Sequence, residues 1–443
     1  MFGGAKSVVG LDVGSHTVKA VALQSNRDRI TLQGYAQAKI GTQDPATVVR
    51  QVIEQLGVKP RRLVTSVSGR SVIVRQVETP KLAGDELKAH ITYEADKYIP
   101  FATDEVVIDC QPLPDRAGAK DNTQQVLLVA VRRGFVNDHL TMLRSAGLQP
   151  EVVDVDVFAL SNAYELLGPG DPGEDKGAVA LIDIGASKSN ISIVHGSRLL
   201  FTREVYLAGN EITDAISRTF NEQSEEIERL KAAPGEAREA LLDAAMPAFE
   251  DLANEIRLSF DYVEGPFEKQ VDSVVLTGGS SQLHSISDIL GNILSRPVHV
   301  FDPLAGMDLV PSKYDIHGLD ANAPSLTIAL GLAAHLLDHG STGLGGQHSH
   351  GWQPRADGAA VSRPSAPAIA DNDPTETAEV PPPQREPSGA NSTLPFAAPP
   401  AMTAPPPVTS YTPVPPPPTQ VAPMTAPLTN PMQIQPPDDE RGA

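Results

Sequence analysis

Apolar positions along the chain follow two rhythms. In SVVGLDV (7–13) and TVKAVALQ (17–24) they come in short dense runs separated by Gly-Ser-His, which predicts a hairpin, and ITLQGYAQAKI (30–40) adds a third strand. Val49, Val52, Ile53 and Leu56 then recur at helical spacing, and RLVTSVSG (62–69) is a further strand. Residues 72–150 have a rhythm of their own. Strands SVIVRQVETP, EVVIDCQPL and QQVLLVAVRR alternate with a helix striped by Leu87, Ile91, Ala95 and Tyr98, and with the helix GFVNDHLTMLRSAGL. That pattern predicts a small α/β unit inserted in the first half.

The second half opens on another hairpin, LIDIGASKSNISIV (181–194). A helix carrying Ile212, Ala215, Ile216 and Phe220 follows, and then a helical hairpin from Gln223 to about Val263 whose second arm buries Phe249, Leu252, Ala253, Ile256 and Phe260. The strand DSVVLTGG leads into a helix with Leu283, Ile286, Ile289, Leu290 and Ile293, for which Ser280 or Ser281 is the expected cap, and SLTIALGLAAHLL is the last helix.

Composition changes the picture beyond about Gly340. Residues 341–443 hold 24 of the 40 prolines, no lysine and the only tryptophan, Trp352. Proline lacks the N–H and fixes φ, so PPPVTSYTPVPPPP (405–418) predicts a disordered tail with polyproline-II stretches. The net charge of −20 argues against a nucleic-acid partner. A single cysteine, Cys110, leaves no internal disulfide framework and fits a reducing cytoplasm. No run reaches 18 apolar residues, and the N-terminus shows no secretory signature, so direct membrane insertion is not expected.

The candidate chemistry lies in the two hairpins. Asp12 and Gly14 repeat as Asp183 and Gly185, 171 residues later. A turn of glycine and serine offers bare backbone N–H groups to phosphate oxygens, and the aspartate before it would repel phosphate unless a cation, expected to be Mg2+, lies between. One such hairpin is ordinary turn chemistry, whereas two opening two halves of a chain suggest a clamp on a Mg-nucleotide. Lys19, inside apolar VKAVAL, is either a point charge for the phosphates or a solvated lysine. Gly278-Gly279 after VVLT either lets backbone approach a base and ribose or makes a plain strand-to-helix turn.

The order hairpin, connecting segment, hairpin, Gly-Gly turn and helix resembles the actin/Hsp70/sugar-kinase ATPase superfamily. Within it, VVGLDVGSHTVKAVAL, EADKYIPF, GLQPEVVDVDVFALSNAY, LIDIGASKSNISI, AGNEITDAI and VVLTGGSSQL resemble the PilM family of type IV pilus assembly proteins, relatives of the division protein FtsA. The resemblance covers about residues 1–338 and implies a two-lobed actin-like α/β fold. The first lobe would be 1–71 with 151–176, the inserted α/β subdomain 72–150, and the second lobe 177–340 with a helical part at about 209–265, followed by the Pro-rich tail.

It implies ATP and Mg2+ as ligands. Asp12, Gly14, Ser15 and Lys19 match the first phosphate motif, Asp183, Gly185 and Ser187 the second, and Gly278, Gly279 and Ser280 the adenosine motif. Asp12 and Asp183 would lie at the metal, and Asp156 would be the catalytic acidic residue near the metal's waters. Glu228 and Lys231 match a pair that embraces adenine and ribose, or else form an ion pair on a solvated helix face. Three positions depart from the pattern: Ser189 stands for threonine, Ala208-Gly209 for Gly-Gly, and Asn190 takes the place that corresponds to Lys19.

The implied function is a cytoplasmic nucleotide-dependent scaffold with at most slow ATP hydrolysis. It would be held at the inner membrane by the N-terminal peptide of a PilN-like protein, beside other pilus inner-membrane components, with homo-oligomers open. The peptide groove would lie between the first lobe and the insertion, with Ile99 and Phe101 either on its rim or packed inside the insertion. The alternatives are an FtsA-like division protein, disfavoured by the non-amphipathic ending IQPPDDERGA, and a small-molecule kinase, for which no sugar-recognition cluster is visible.

Overall fold

A computed structural model describes residues 7–26, 29–113, 122–168, 177–196, 198–267 and 269–337. The expected disordered tail at 341–443 lies outside them. In chain order the first half forms β1 (Val8–Val13), β2 (Thr17–Asn26), β3 (Arg29–Lys39), α1 (Pro45–Leu56), β4 (Leu63–Val67), β5 (Val72–Pro80), α2 (Gly84–Glu94), β6 (Val106–Pro112), β7 (Thr123–Arg132), α3 (Arg133–Ser145), β8 (Val152–Val155) and α4 (Asp156–Leu167). The second half forms β9 (Ala178–Ile184), β10 (Ser189–His195), β11 (Arg198–Val205), α5 (Gly209–Phe220), α6 (Ser224–Ala232), α7 (Arg238–Phe267), β12 (Val271–Thr277), α8 (Ile286–Leu294), β13 (Val298–Val300), α9 (Ile316–Asn322) and α10 (Thr327–Ala334).

Two five-stranded sheets carry the two lobes. Their orders, β3-β2-β1-β4-β8 and β11-β10-β9-β12-β13, are the same pattern twice. In each, a three-strand antiparallel meander is followed by two parallel strands. This is the expected two-lobed actin-like arrangement, and it explains why the Asp-x-Gly hairpin occurs twice. Local chemistry sets the elements. Asp44 caps α1 by accepting from Thr47 N at 3.1 Å, Pro45 opens the helix, and Gly57 at φ 66° closes it. Val48, Val49, Val52 and Leu56 face the sheet.

Two segments link the units that the sequence suggests. The antiparallel sheet β5-β7-β6, with α2 on it, is the insertion. The helix α3 bridges it to the first lobe, with Val136 and Leu140 packed against Val131 of β7 as well as Val67 and Val153. Leu143 and Leu148 are buried against Val48, Val49 and Val52 of α1, because the parallel pair β4 and β8 needs a crossover helix of its own. The strands of the insertion end at Arg132, and α3 lies at its junction with the first lobe. A further feature is at the C-terminal side. Residues after β13 return to the first lobe: Asp308 pairs its backbone with Ile30 and Leu32 at the edge of β3, and Tyr314 stacks edge-on against Tyr35 with centroids 5.7 Å apart. All eight residues of α10 are buried, between β1 and α4.

The Gly-Gly segment differs from expectation. Residues 279–282 make a short 3-10 turn, α8 starts at Ile286, and Ser285 at φ 61° precedes it. Neither Ser280 nor Ser281 caps α8; their hydroxyls turn back onto the carbonyls of Gly185 and Gly278, both at 2.8 Å. No described helix is long and apolar enough to cross a membrane.

The seat of α10 is set by backbone contact. A Cβ on Gly331 would lie 1.8 Å from the carbonyl oxygen of Ala159 in α4, and one on Gly10 in β1 would lie 2.0 Å from that of Ala329. A methyl at either position forces two elements apart, α10 from α4 or β1 from α10. Gly331→Ala is therefore expected to lower the unfolding free energy by about 2–3 kcal/mol, a typical cost of overpacking a dense core. Gly134→Ala, on α3 with open space around its Cβ position, is expected to be neutral or slightly stabilising. Urea titrations of the two variants check this.

Candidate functional site

Both hairpins place their aspartates by register. Asp12 on β1 pairs directly with Lys19 on β2, and Asp183 on β9 with Asn190 on β10. The turns close alike, with Gly14 N donating to Thr17 O at 3.1 Å and Gly185 N to Lys188 O at 3.0 Å. The tips meet across the lobes: the Ser187 hydroxyl lies 2.8 Å from that of Ser15.

Between the tips three carboxylates lie buried, Asp12 at 6% exposure, Asp156 at 8% and Asp183 at 9%. Lys19 Nζ is 2.9 Å from Asp12 Oδ2. Asp156 is the first residue of α4, where β8 delivers it to the cleft. Its Oδ1 accepts from Ser66 Oγ at 2.6 Å and its Oδ2 from Lys188 Nζ at 2.9 Å. Lys188 also meets Glu204 at 2.8 Å, and Glu204 accepts from the backbone N–H of Gly69 at 2.9 Å. Asp183 has no ammonium of its own. Asn190 Nδ2 donates to it at 3.0 Å, and the other end of that amide, Asn190 Oδ1, is buried without a hydrogen bond.

The electrostatics follow from this spacing. Burial pushes the Asp12 carboxyl up even against Lys19, while Asp12 holds Lys19 above its ordinary value despite burial. Burial would raise Asp156, but Lys188 and Ser66 more than offset it and hold it below the usual carboxylate range. Asp183 is pushed up to about 6, first by burial and then by the Asp156 and Asp12 charges, with Lys19 and Lys188 offsetting only part. Lys188 keeps its proton because the attraction of Asp156 and Glu204 outweighs its own burial.

The remaining expected residues fall around the second hairpin. Gly209 N donates to Gly185 O at 3.1 Å, and a Cβ on Gly209 would meet the Ser280 hydroxyl at 2.3 Å. Gly278, at φ 88°, has a backbone reason to be glycine, since its Cβ would sit 2.5 Å from Asp183 Oδ1. Gly279 faces open space. Lys231 Nζ bonds Glu228 at 2.7 Å and Thr213 Oγ1 at 2.9 Å, and Thr213 Oγ1 in turn donates to Gly209 O at 2.9 Å, so the pair is tied to the start of α5 rather than free on a helix face. Glu228 is held low against its burial by Lys231 and Thr213, with His16 of the first hairpin near enough to contribute.

Sequence reading missed Lys188, Ser66 and Glu204. The lysine in GASKSN was the available signal; its partners are set by how the lobes meet. The expected partner rim also changes. Ile99 is 5% exposed inside the insertion core with Val77, Leu87 and Ile91, so it is not on a rim, and Phe101 packs against that core beneath the Arg132 guanidinium at 5.5 Å. The structure has instead an apolar groove between the insertion and the first lobe. Val107, Asp109 and Gln111 of β6 with Val129 of β7 form one wall, and Val67, Val153 and Val155 of β4 and β8 the other.

Among the described residues no three acidic, His or Cys side chains converge as ligands of a bare metal ion. The donor set fits a hydrated hard cation instead: buried carboxylate oxygens that repel one another, and the unpaired Asn190 Oδ1 as an acceptor for metal-bound water.

The Asp183 shift makes stability depend on pH. The folded chain keeps a proton on Asp183 between its ordinary value of 3.8 and about 6, whereas the unfolded chain releases it. The contribution of this group to stability therefore falls as pH rises through that window. Going from pH 4 to pH 7, Asp183→Asn is expected to gain on the order of 2 kcal/mol relative to the unsubstituted chain. Denaturant midpoints of both proteins across that range are the measurement, and parallel pH profiles would refute it.

Comparison with known proteins matches this geometry. Residues 10–336 match the family of type IV pilus assembly protein PilM. The solved PilM-PilN type IV pilus biogenesis complex superposes with a TM-score of 0.66 at 26% identity, covering 75% of this chain and 99% of that one. Cell division protein FtsA of Bacillus subtilis is 20% identical over 349 residues, 67% of this chain and 78% of FtsA. FtsA of Pseudomonas aeruginosa is 23% identical over 230 residues, 46% of this chain and 51% of FtsA. The FtsA matches are distant, whereas the PilM family spans both lobes and the insertion, and the chain belongs to that family of type IV pilus assembly proteins.

Proposed function

We propose that this protein is a nucleotide-binding scaffold of the type IV pilus machinery, on the cytoplasmic side of the inner membrane. In this reading it closes two lobes on Mg-ATP and docks the N-terminal peptide of a PilN-like membrane protein. The observation that carries the nucleotide part is the meeting of the two Asp-x-Gly hairpins, Ser15 against Ser187, over three buried aspartates. Backbone N–H groups at Ser15 and at Ala186–Ser187 would face phosphates, with Lys19 as a fixed positive charge. Asp12 and Asp183 would hold the waters of Mg2+, which supplies the charge neutralisation that lets phosphate enter an acidic cleft. Gly279 leaves room for a base or ribose, with Glu228 and Lys231 nearby through α5.

The partner part rests on the groove between the insertion and the first lobe, which lies where the family resemblance puts a partner peptide. Its apolar walls suit alternate side chains of an extended segment, and β6 is an edge strand of its sheet that can offer backbone hydrogen bonds. Groove and cleft adjoin along the chain: Val67 and Val155 line the groove, and Ser66 and Asp156 next to them line the cleft. A change in the lobes on nucleotide binding would therefore reach the peptide site, to the extent that its two states bind the peptide differently.

Two measurements test this reading. Fluorescence anisotropy with labelled ATP and Mg2+ is expected to show binding that Asp12→Ala and Asp183→Ala each weaken at least about tenfold, the scale of a lost charge-assisted contact; unaltered affinity in both variants would end the clamp model. A labelled peptide copying the first ~10–15 residues of the organism's PilN-like protein should bind, since such a length spans an edge-strand groove. Val107→Asp should abolish that binding without lowering the melting temperature. No peptide binding at hundreds of micromolar, with or without ATP, would turn attention to phosphoryl transfer onto small molecules.

A further inference from the structure

A base that assists hydrolysis must have a free lone pair and an affinity for protons near the working pH. Asp156 has neither. Ser66 Oγ donates to one oxygen at 2.6 Å, and Lys188 Nζ to the other at 2.9 Å. The two donors come from different lobes, Ser66 from the end of β4 and Lys188 from the turn of the second hairpin. Lys188 is itself fixed by Glu204, which the Gly69 N–H anchors from the first lobe.

We propose, on the reading that the cleft takes Mg-ATP, that Lys188 is a positioning residue that suppresses hydrolysis: by bonding Asp156 across the lobes it keeps that carboxylate from accepting a proton, so that bound ATP is held and not cleaved. In hydrolysis a water oxygen bonds to the γ-phosphorus and the bond from that phosphorus to the β–γ bridging oxygen breaks. Its electron pair leaves with ADP, and a water proton must pass to a base. With the ammonium in place, Asp156 is a weak base with both oxygens engaged. Without it, burial raises the proton affinity of the carboxylate and Oδ2 is freed to accept the water proton. The same lysine ties the lobes together, so holding the cleft closed and withholding catalysis are one contact.

The experiment uses the full chain and measures Mg-ATP affinity by anisotropy and single-turnover phosphate release on the same samples. Lys188→Met is expected to bind ATP and to release phosphate about tenfold or more faster, the lower end of what a positioned base contributes. Lys188→Gln, which keeps a polar stem without the charge, should do the same and serves if the methionine variant does not fold. Lys188→Arg retains the charge and should show no gain, and combining Lys188→Met with Asp156→Asn should abolish the gain that Lys188→Met shows alone. A lysine that is only a strut would loosen the fold in the Met and Gln variants without raising turnover. Binding without faster release in those variants overturns the inference and leaves the nucleotide reading standing, as does a gain that persists in the double variant. Failure of the unsubstituted chain to bind Mg-ATP overturns both.

Discussion

A carboxylate taken out of water is costly unless a positive charge or several donors meet it. This molecule gathers three of them, Asp12, Asp156 and Asp183, where its lobes touch, and much of the surrounding structure serves to hold them. Lys19 answers Asp12 from the adjacent strand. Lys188 and Ser66 answer Asp156 from opposite lobes. Asp183 receives only an amide, and its proton affinity rises to about 6. The imbalance leaves a negative, water-poor pocket that a hydrated divalent cation with its phosphates would neutralise.

The two hairpins have the same backbone and different chemistry. Register puts Lys19 and Asn190 at equivalent places, opposite Asp12 and Asp183. The second hairpin moves its lysine into the turn instead, where Lys188 reaches across to Asp156 and Glu204. A duplicated fold thus divides its labour: one hairpin carries a charge for the cleft, and the other carries a tie between lobes. The tie is stiffened by α10, which is wedged so closely between β1 and α4 that Gly10 and Gly331 cannot carry a side chain without moving a neighbouring backbone. Asp156 begins α4, so the helix that packs against α10 also positions the carboxylate.

Much of this was legible in the sequence. Dense apolar runs broken by Asp-x-Gly turns determine the hairpins, and because side chains alternate with period two, the register follows and sets Asp12 against Lys19 and Asp183 against Asn190. The stripes of α1, α5 and α7 are plain in the 3.6-residue spacing. By contrast β8 and α4 have no periodic signal. VVDV is buried on both faces, and α4 buries Asp156 to Leu160 in succession, so neither shows a polar side that would mark its type.

What only the tertiary structure decided concerns residues distant in the chain. The periodicity of α3 and α10 is the same whichever neighbour they pack on; the crossover between β4 and β8 assigns the first, and the small residues at 10, 159 and 331 assign the second. Ile99 reads as an apolar residue beside a proline, and only the closing of the insertion core puts it inside. Lys188 reads as a turn lysine until the lobes meet. Local sequence determines which way a side chain points from its own strand, but an ion pair between residues 156 and 188 depends on two sheets coming together, and that distance is written in the packing of the helices between them.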